Sequence, residues 1–239
     1  MVLSDKPNTP WISVLIGCYG DFPHYSLRAV QSVLGMGGVE VHVGCNACSR
    51  ETLWALRALF DAGQITSLIE SRENINKDPM MRLLIDRTAT EYLMWMDDNS
   101  HVSPGWDVAL RQLLDKHRPF DVAGHVFFCH RSPEYEQFVR QRPWWKGDEA
   151  YPNDDWRKRV WFATGGLWLA RTAFLRQHEF PDRAMVKKQD DLLLGDLIGQ
   201  QCGKLFDFGH HEIMKHIRIS DGNRRGNGEG TDGWKQGVP

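Results

Sequence analysis

The stretch "WISVLIGCY", Trp11 to Tyr19, is a continuous apolar run rich in β-branched residues. A strand with one wet face would alternate polar and apolar positions. A run that stays apolar belongs to a strand covered on both faces, the habit of a parallel sheet sandwiched between helices. The chain then repeats this logic. "YSLRAVQSVLGMGG" sets Leu27, Val30, Val33 and Leu34 on one helical stripe closed by glycines. "VEVHVG" is a second strand, and "SRETLWALRALFDAG" a helix with Ser49 as N-cap and Leu53, Leu56, Leu59 and Phe60 on one face. "QITSLIES", "PMMRLLIDRTA" and "EYLMWM" continue as strand, helix and strand. This alternation with short links predicts an α/β fold with a mostly parallel sheet, helices on its faces and right-handed crossovers.

After Asp98 the pattern changes. Ser103 and Pro104 are expected at N-cap and N1 of a helix carrying Trp106, Leu110, Leu113 and Leu114. "DVAGHVFFCH" reads as a strand, and the polar, aromatic stretch from Arg131 to Arg159 as an irregular insertion. "VWFATGGLWLAR" returns to strand, interrupted by Gly165 and Gly166. "DDLLLGDLIGQQCG" is helical, "KLFDFG" a short strand, and the last twenty residues, with six glycines, a tail or loop.

Composition narrows the function classes. The 239 residues are 41% hydrophobic and 25% charged with a formal net charge of −2, the profile of a soluble globular protein. That charge gives no global footprint for nucleic acid or an anionic membrane. No apolar run approaches the ~20 residues that span a bilayer. The N-terminus lacks a basic region and a clear cleavage site, so no signal peptide is expected. Five cysteines, an odd number, argue for reduced thiols and a cytoplasmic location.

In open parallel sheets ligands bind beyond the carboxyl ends of the strands, and Asp97 and Asp98 stand at such an end. Adjacent carboxylates repel unless a cation bridges them, and hard divalent cations prefer oxygen ligands, usually in the service of a phosphate-bearing substrate. The plainer alternative is one aspartate capping the next turn and one solvated.

In order and spacing, several segments resemble family 2 glycosyltransferases of the GT-A fold. They are "SVLIGCYGDFPHYSLRAVQSVL", "VEVHVGCNACS", "LIESRENINKD", the frame Asp97-Asp98-Asn99-Ser100-His101-Val102-Ser103-Pro104-Gly105, "TGGLWLAR", and Gln189-Asp190-Asp191-Leu192. The likeness covers roughly residues 10–220. It implies a Rossmann-like nucleotide-binding sheet and transfer, with inversion, of a sugar from a nucleotide diphosphate-sugar (a UDP-sugar favoured) to an acceptor hydroxyl on a glycan or a modified nucleic acid. Carried over position by position, Gly17, Tyr19, Asn46, Arg82, Asp97, Gly165 and Gly166 would bind the nucleotide-sugar. Asp98, Asn99 and His216 would hold Mn²⁺ or Mg²⁺. Asp191 would be the catalytic base with Asp190 as helper or cap, and Trp144 and Trp145 would face the acceptor. His211 is a weaker metal candidate, and Arg218, Arg224 and Arg225 could neutralise the leaving diphosphate. Two positions depart from the family pattern: Asn99 replaces an aspartate of the metal motif, and Asn46 stands where an aspartate often meets the base. The expected organisation is one domain over residues 1–239, with residues 10–103 binding the donor, 104–220 the acceptor, and 221–239 forming the glycine-rich tail.

Other readings stand beside this one. Cys45 and Cys48 form a C-x-x-C between a strand and a helix, the layout of a thiol oxidoreductase or of half a zinc site. Cys18, Cys129 and Cys202 form no second such pair, and the acidic motifs would go unexplained. A nucleotidyltransferase would also use metal and nucleotide, but "GCYGDFP" lacks the expected glycine-rich basic loop. A sugar-binding module without activity is the third alternative, left open by Asn99.

Overall fold

A computed structural model describes residues 9–185 and 190–219. The first half alternates as the sequence predicts: β1 (Ile12–Tyr19), α1 (Pro23–Val33), β2 (Val39–Asn46), α2 (Arg50–Asp61), β3 (Ser67–Ser71), α3 (Lys77–Arg87) and β4 (Tyr92–Asp97). Then come β5 (His101–Val102), α4 (Trp106–His117), β6 (Val122–His130), α5 (Pro133–Val139), α6 (Asp154–Lys158) and β7 (Arg159–Arg171). The described chain closes with α7 (Thr172–Gln177), α8 (Asp190–Gln200), β8 (Leu205–Asp207) and β9 (Ile217–Arg218).

The seven-stranded sheet has the order β3-β2-β1-β4-β7-β6-β8. β1 pairs in parallel with β2 and β4, and β2 with β3. β7 enters antiparallel between β4 and β6, and β6 pairs in parallel with β8, so the sheet is mostly parallel with one reversed strand. Gly17 and most of the rest of β1 are flanked by strands on both sides and its apolar residues from Ile12 to Ile16 are buried, which accounts for the unbroken apolar run. Hydrophobic clusters fill both faces. One holds α1, α2 and α4 against the sheet; the other packs α3 and α8 around Trp95 and Trp168, whose rings stack 6.4 Å apart.

Several local expectations are met in detail and others are revised. Ser49 caps α2, its hydroxyl accepting from Thr52 N–H at 3.3 Å. α4 instead starts at Trp106, because Gly105 adopts φ +90°, a left-handed turn that Ser103 and Pro104 lead into rather than cap. β5 and β9 pair with each other as a separate two-stranded ribbon too short to announce itself in sequence. The insertion is more ordered than its polar composition suggests: it carries α5 and α6. It is pinned to α8 by a buried group in which Arg131, Tyr135 (2.8 Å) and Tyr151 (2.5 Å) all donate to the Asp196 carboxylate. The glycine-rich tail with Arg224 and Arg225 lies outside the described residues, as does Gln189.

Candidate active site

Parallel pairing brings the carboxyl ends of β1, β2, β3 and β4 to one edge. The register sets Tyr19 beside Asn46, Asn46 beside Ser71, and Gly17 beside Asp97. β7 runs the other way, with Leu167 opposite Met96, so Gly166 and Gly165 arrive just past the end of β4. Of the predicted donor-side residues, Gly17, Tyr19, Asn46, Asp97, Gly165 and Gly166 therefore come to this edge.

The two aspartates at that edge face different ways. Asp98 is 0% exposed, and its Oδ2 accepts from Tyr19 N–H and Ser26 Oγ–H, both at 3.1 Å. It ties β4 to the β1–α1 turn. Asp97 is the one at the surface, 28% exposed, with Oδ1 accepting from Trp95 Nε1–H at 2.9 Å. The Lys77 ammonium lies 3.0 Å from the same oxygen and 3.1 Å from Asp190 Oδ2, and it donates to the Gly165 carbonyl at 3.2 Å. Burial alone would lower the Lys77 pKa, but Asp190 and Asp97 outweigh it and hold the ammonium above its ordinary range.

Asp190 and Asp191 form the first turn of α8, where backbone N–H groups favour negative charge. Asp191 Oδ1 accepts from Leu192 N–H at 2.9 Å. A Cβ on Gly165 would stand 3.3 Å from Asp191 Oδ2, so the glycine lets this carboxylate lie against β7. Burial, then the charge of Asp190, pushes Asp191 up to about 7. Asp78, 1% exposed at the start of α3, is likewise raised to about 7 by burial and Asp190, and neither of its oxygens has a hydrogen-bond partner among the described residues.

The remaining predicted residues fall into two groups. Asn46 is at the edge, but its amide holds the β3–α3 loop: Oδ1 accepts from Ile75 N–H at 2.9 Å, and Nδ2 donates to Asn74 Oδ1 at 3.1 Å. Asn74 in turn reaches the Tyr19 hydroxyl at 3.4 Å. Gly17 leaves room for Trp95, whose ring would lie 2.8 Å from a Cβ there. The Gly166 carbonyl accepts from Ser100 Oγ–H at 2.9 Å. Arg82 braces the 181–182 turn, donating to the carbonyls of Pro181 (2.8 Å) and Asp182 (2.5 Å). Trp144 is 5% exposed inside the α3–α8 cluster, so its ring is covered, and Trp145 packs edge-on to Tyr151. Exposed aromatic rings lie elsewhere, among them Trp54, 74% exposed on α2, and Phe128, 48% exposed on β6 beside Trp161. His211 caps the turn at Ile213, accepting from its N–H at 3.4 Å.

Two of the expected metal residues have other partners within the protein. Asp98 is buried and turned inward. His216 stands 3.5 Å from the Ser103 hydroxyl with its ring over Gly105. Among the described residues no group of three or more histidine, cysteine or carboxylate side chains is placed to hold an ion. A smaller set does fit a hard cation that arrives with a diphosphate, which needs only one or two protein oxygens. Asp97 is partly exposed, and the Asn99 amide oxygen is buried without a hydrogen-bond partner.

Cys45 is buried, and the Cys48 side chain, then burial, pushes its thiol far above the ordinary range. A reactive thiolate needs the opposite shift.

Lys77 is the residue that sequence reasoning missed. It sits near the end of the segment "LIESRENINKD", where the resemblance assigns it no role.

The fold is that of the GT-A glycosyltransferases, a mostly parallel sheet flanked by helices. Residues 1–349 of S. aureus TarS superpose with a TM-score of 0.58 at 10% identity, covering 88% of this chain and 60% of that one. The TarS fragment in complex with UDP-GlcNAc gives 0.55 at 10% identity over 91% of this chain and 60% of that one. The mannosyltransferase PcManGT from Pyrobaculum calidifontis, in complex with GDP-Man and Mn²⁺, gives 0.54 at 14% identity over 86% of this chain and 56% of that one. The chain thus spans at most about 60% of the length of these structures. No family model and no curated protein sequence matches it. No helix among the described residues is long and apolar enough to cross a membrane.

Proposed function

We propose that the chain transfers a sugar, with inversion, from a nucleotide diphosphate-sugar to an acceptor hydroxyl. The observation that carries this reading is the convergence of Asp97, Asp190 and Asp191 on Lys77 and Gly165, at the carboxyl edge of the parallel strands. Structural neighbours at that fold bind UDP-GlcNAc and GDP-Man, which supports a nucleotide-sugar donor here, a UDP-sugar by preference.

The donor lies over the ends of β1 and β2, with its base against Tyr19, Asn74 and the Asn46-braced loop. Asp97 and Asn99 would hold a Mn²⁺ or Mg²⁺ ion bound with the diphosphate, and that ion supplies neutralisation of charge on the leaving group. Asp191, raised toward neutrality and partly exposed, takes the proton of the acceptor hydroxyl. The acceptor oxygen bonds to the anomeric carbon as the bond from that carbon to the diphosphate oxygen breaks, and the nucleoside diphosphate departs. One displacement without a sugar–enzyme bond inverts the anomeric configuration. Residues 10–103 thereby serve the donor and residues 104–220 the acceptor.

The test is a panel of nucleotide-sugars incubated with the protein, with Mn²⁺ and with chelator, following release of the nucleoside diphosphate and the anomeric configuration of the sugar by NMR. Release from at least one donor with inversion is expected. No release from any donor, or retained configuration, refutes the reading.

A further inference from the structure

We infer that Lys77 is the positioning residue that sets the catalytic base, an inference that rests on the glycosyl-transfer reading above. An ammonium has three N–H donors. Lys77 Nζ donates one to the Gly165 carbonyl at 3.2 Å and forms ion pairs with Asp97 Oδ1 at 3.0 Å and Asp190 Oδ2 at 3.1 Å. The acceptors belong to β4, α8 and β7, so one side chain from α3 joins four elements. The ammonium is held within the protein by one hydrogen bond and two ion pairs.

Two of those acceptors flank Asp191. Asp190 precedes it in the chain, and Gly165 packs against it, with its Cβ position 3.3 Å from Asp191 Oδ2. The third acceptor, Asp97, marks the donor end of β4. Lys77 therefore fixes the distance between the donor-side strand end and the base.

Its root is fixed as well. Asn46 accepts from Ile75 N–H at 2.9 Å, two residues before Lys77, and Asn76 between them holds φ +69°. The Trp95 ring, 5.5 Å from Nζ, confines the otherwise flexible stem. Without the ammonium, two carboxylates would face each other across a partly buried notch and repel. α8 and β7 would then settle in another relation to β4.

The test compares wild type with Lys77→Met in the hydrolysis of UDP-GlcNAc and GDP-mannose, with calorimetry of UDP binding. Wild-type turnover is the control for the functional reading: a wild type inert toward every donor refutes glycosyl transfer itself. Given an active wild type, kcat should fall by about 10²-fold, the cost of misplacing a reacting group by about 1 Å. The donor KM and UDP affinity should stay within about threefold, since uniform binding is untouched. Added ammonium ion should restore at least about tenfold of the lost rate, because it replaces the missing charge where Nζ stood. An unchanged kcat, a loss confined to KM, or a folded variant that ammonium does not rescue would each overturn the assignment. If Lys77→Met does not fold, Lys77→Met/Asp190→Asn removes the charge imbalance. Its kcat should lie about tenfold or more below that of Asp190→Asn alone, and equality would overturn the inference. Failure of both variants to fold would assign Lys77 to stability and overturn it too.

Discussion

Asp191→Asn is the substitution that asks most of the mechanism. The Asp191 carboxyl is carried from its ordinary 3.8 to about 7 by burial and by Asp190 beside it. A base at 7 is about one-tenth ionised at pH 6 and about nine-tenths at pH 8, so donor turnover should climb nearly tenfold between them. A carboxylate left near 3.8 would give a flat profile over that range. In Asp191→Asn the rising limb should vanish, and turnover should drop by roughly 10²–10⁴-fold, the scale of general base catalysis. UDP binding should persist. The same shift has a thermodynamic consequence of fixed sign. Between about pH 4 and 7 the folded state holds a proton that the unfolded state has released, so the contribution of Asp191 to stability declines as pH rises through that window. Asp191→Asn should remove this decline. The assays are the pH–rate profile and thermal unfolding of both proteins across that range. A wild-type profile flat from pH 5 to 8, or an Asp191→Asn protein with full activity, would refute the reasoning and pass the role to Asp190.

The other predictions concern stability, thiols and metal. Asp196→Ala leaves Arg131 buried without its counter-ion, along with two tyrosine hydroxyls without an acceptor; it should cost about 3–5 kcal/mol, visible as a fall in Tm of roughly 6–20 °C, and a loss under about 1 kcal/mol would show the network to be dispensable. The double change Cys45→Ser/Cys48→Ser should leave turnover within about threefold of wild type, because the buried Cys45 thiol is held above its ordinary range; abolished activity in a folded protein would revive the oxidoreductase reading. UDP should bind more tightly with Mn²⁺ than with chelator, and Asp97→Asn should erase the difference while Asp98→Asn instead lowers stability, both by calorimetry. A metal effect that survives Asp97→Asn would place the ion elsewhere.

What the sequence determined by itself was set by period and local chemistry. The apolar run of β1 and the helical stripes of α1, α2 and α3 announced a sandwiched parallel sheet, because burial on both faces leaves no polar position free. Ser49 was legible as a cap because that hydrogen bond reaches only three residues. The acidic pair was legible as standing where a strand gives out, and β4 ends at Asp97. Tertiary structure alone decided which of the pair lies at the surface, since the inward turn of Asp98 depends on Tyr19 and Ser26 from another part of the chain. It decided the antiparallel course of β7, because a strand buried on both faces has the same pattern in either direction. It covered Trp144, which the resemblance offered as an acceptor-facing ring. And it made Lys77 central: a lysine in a polar loop is an ordinary thing until folding brings Asp97, Asp190 and Gly165 from three distant segments to within reach of its one ammonium.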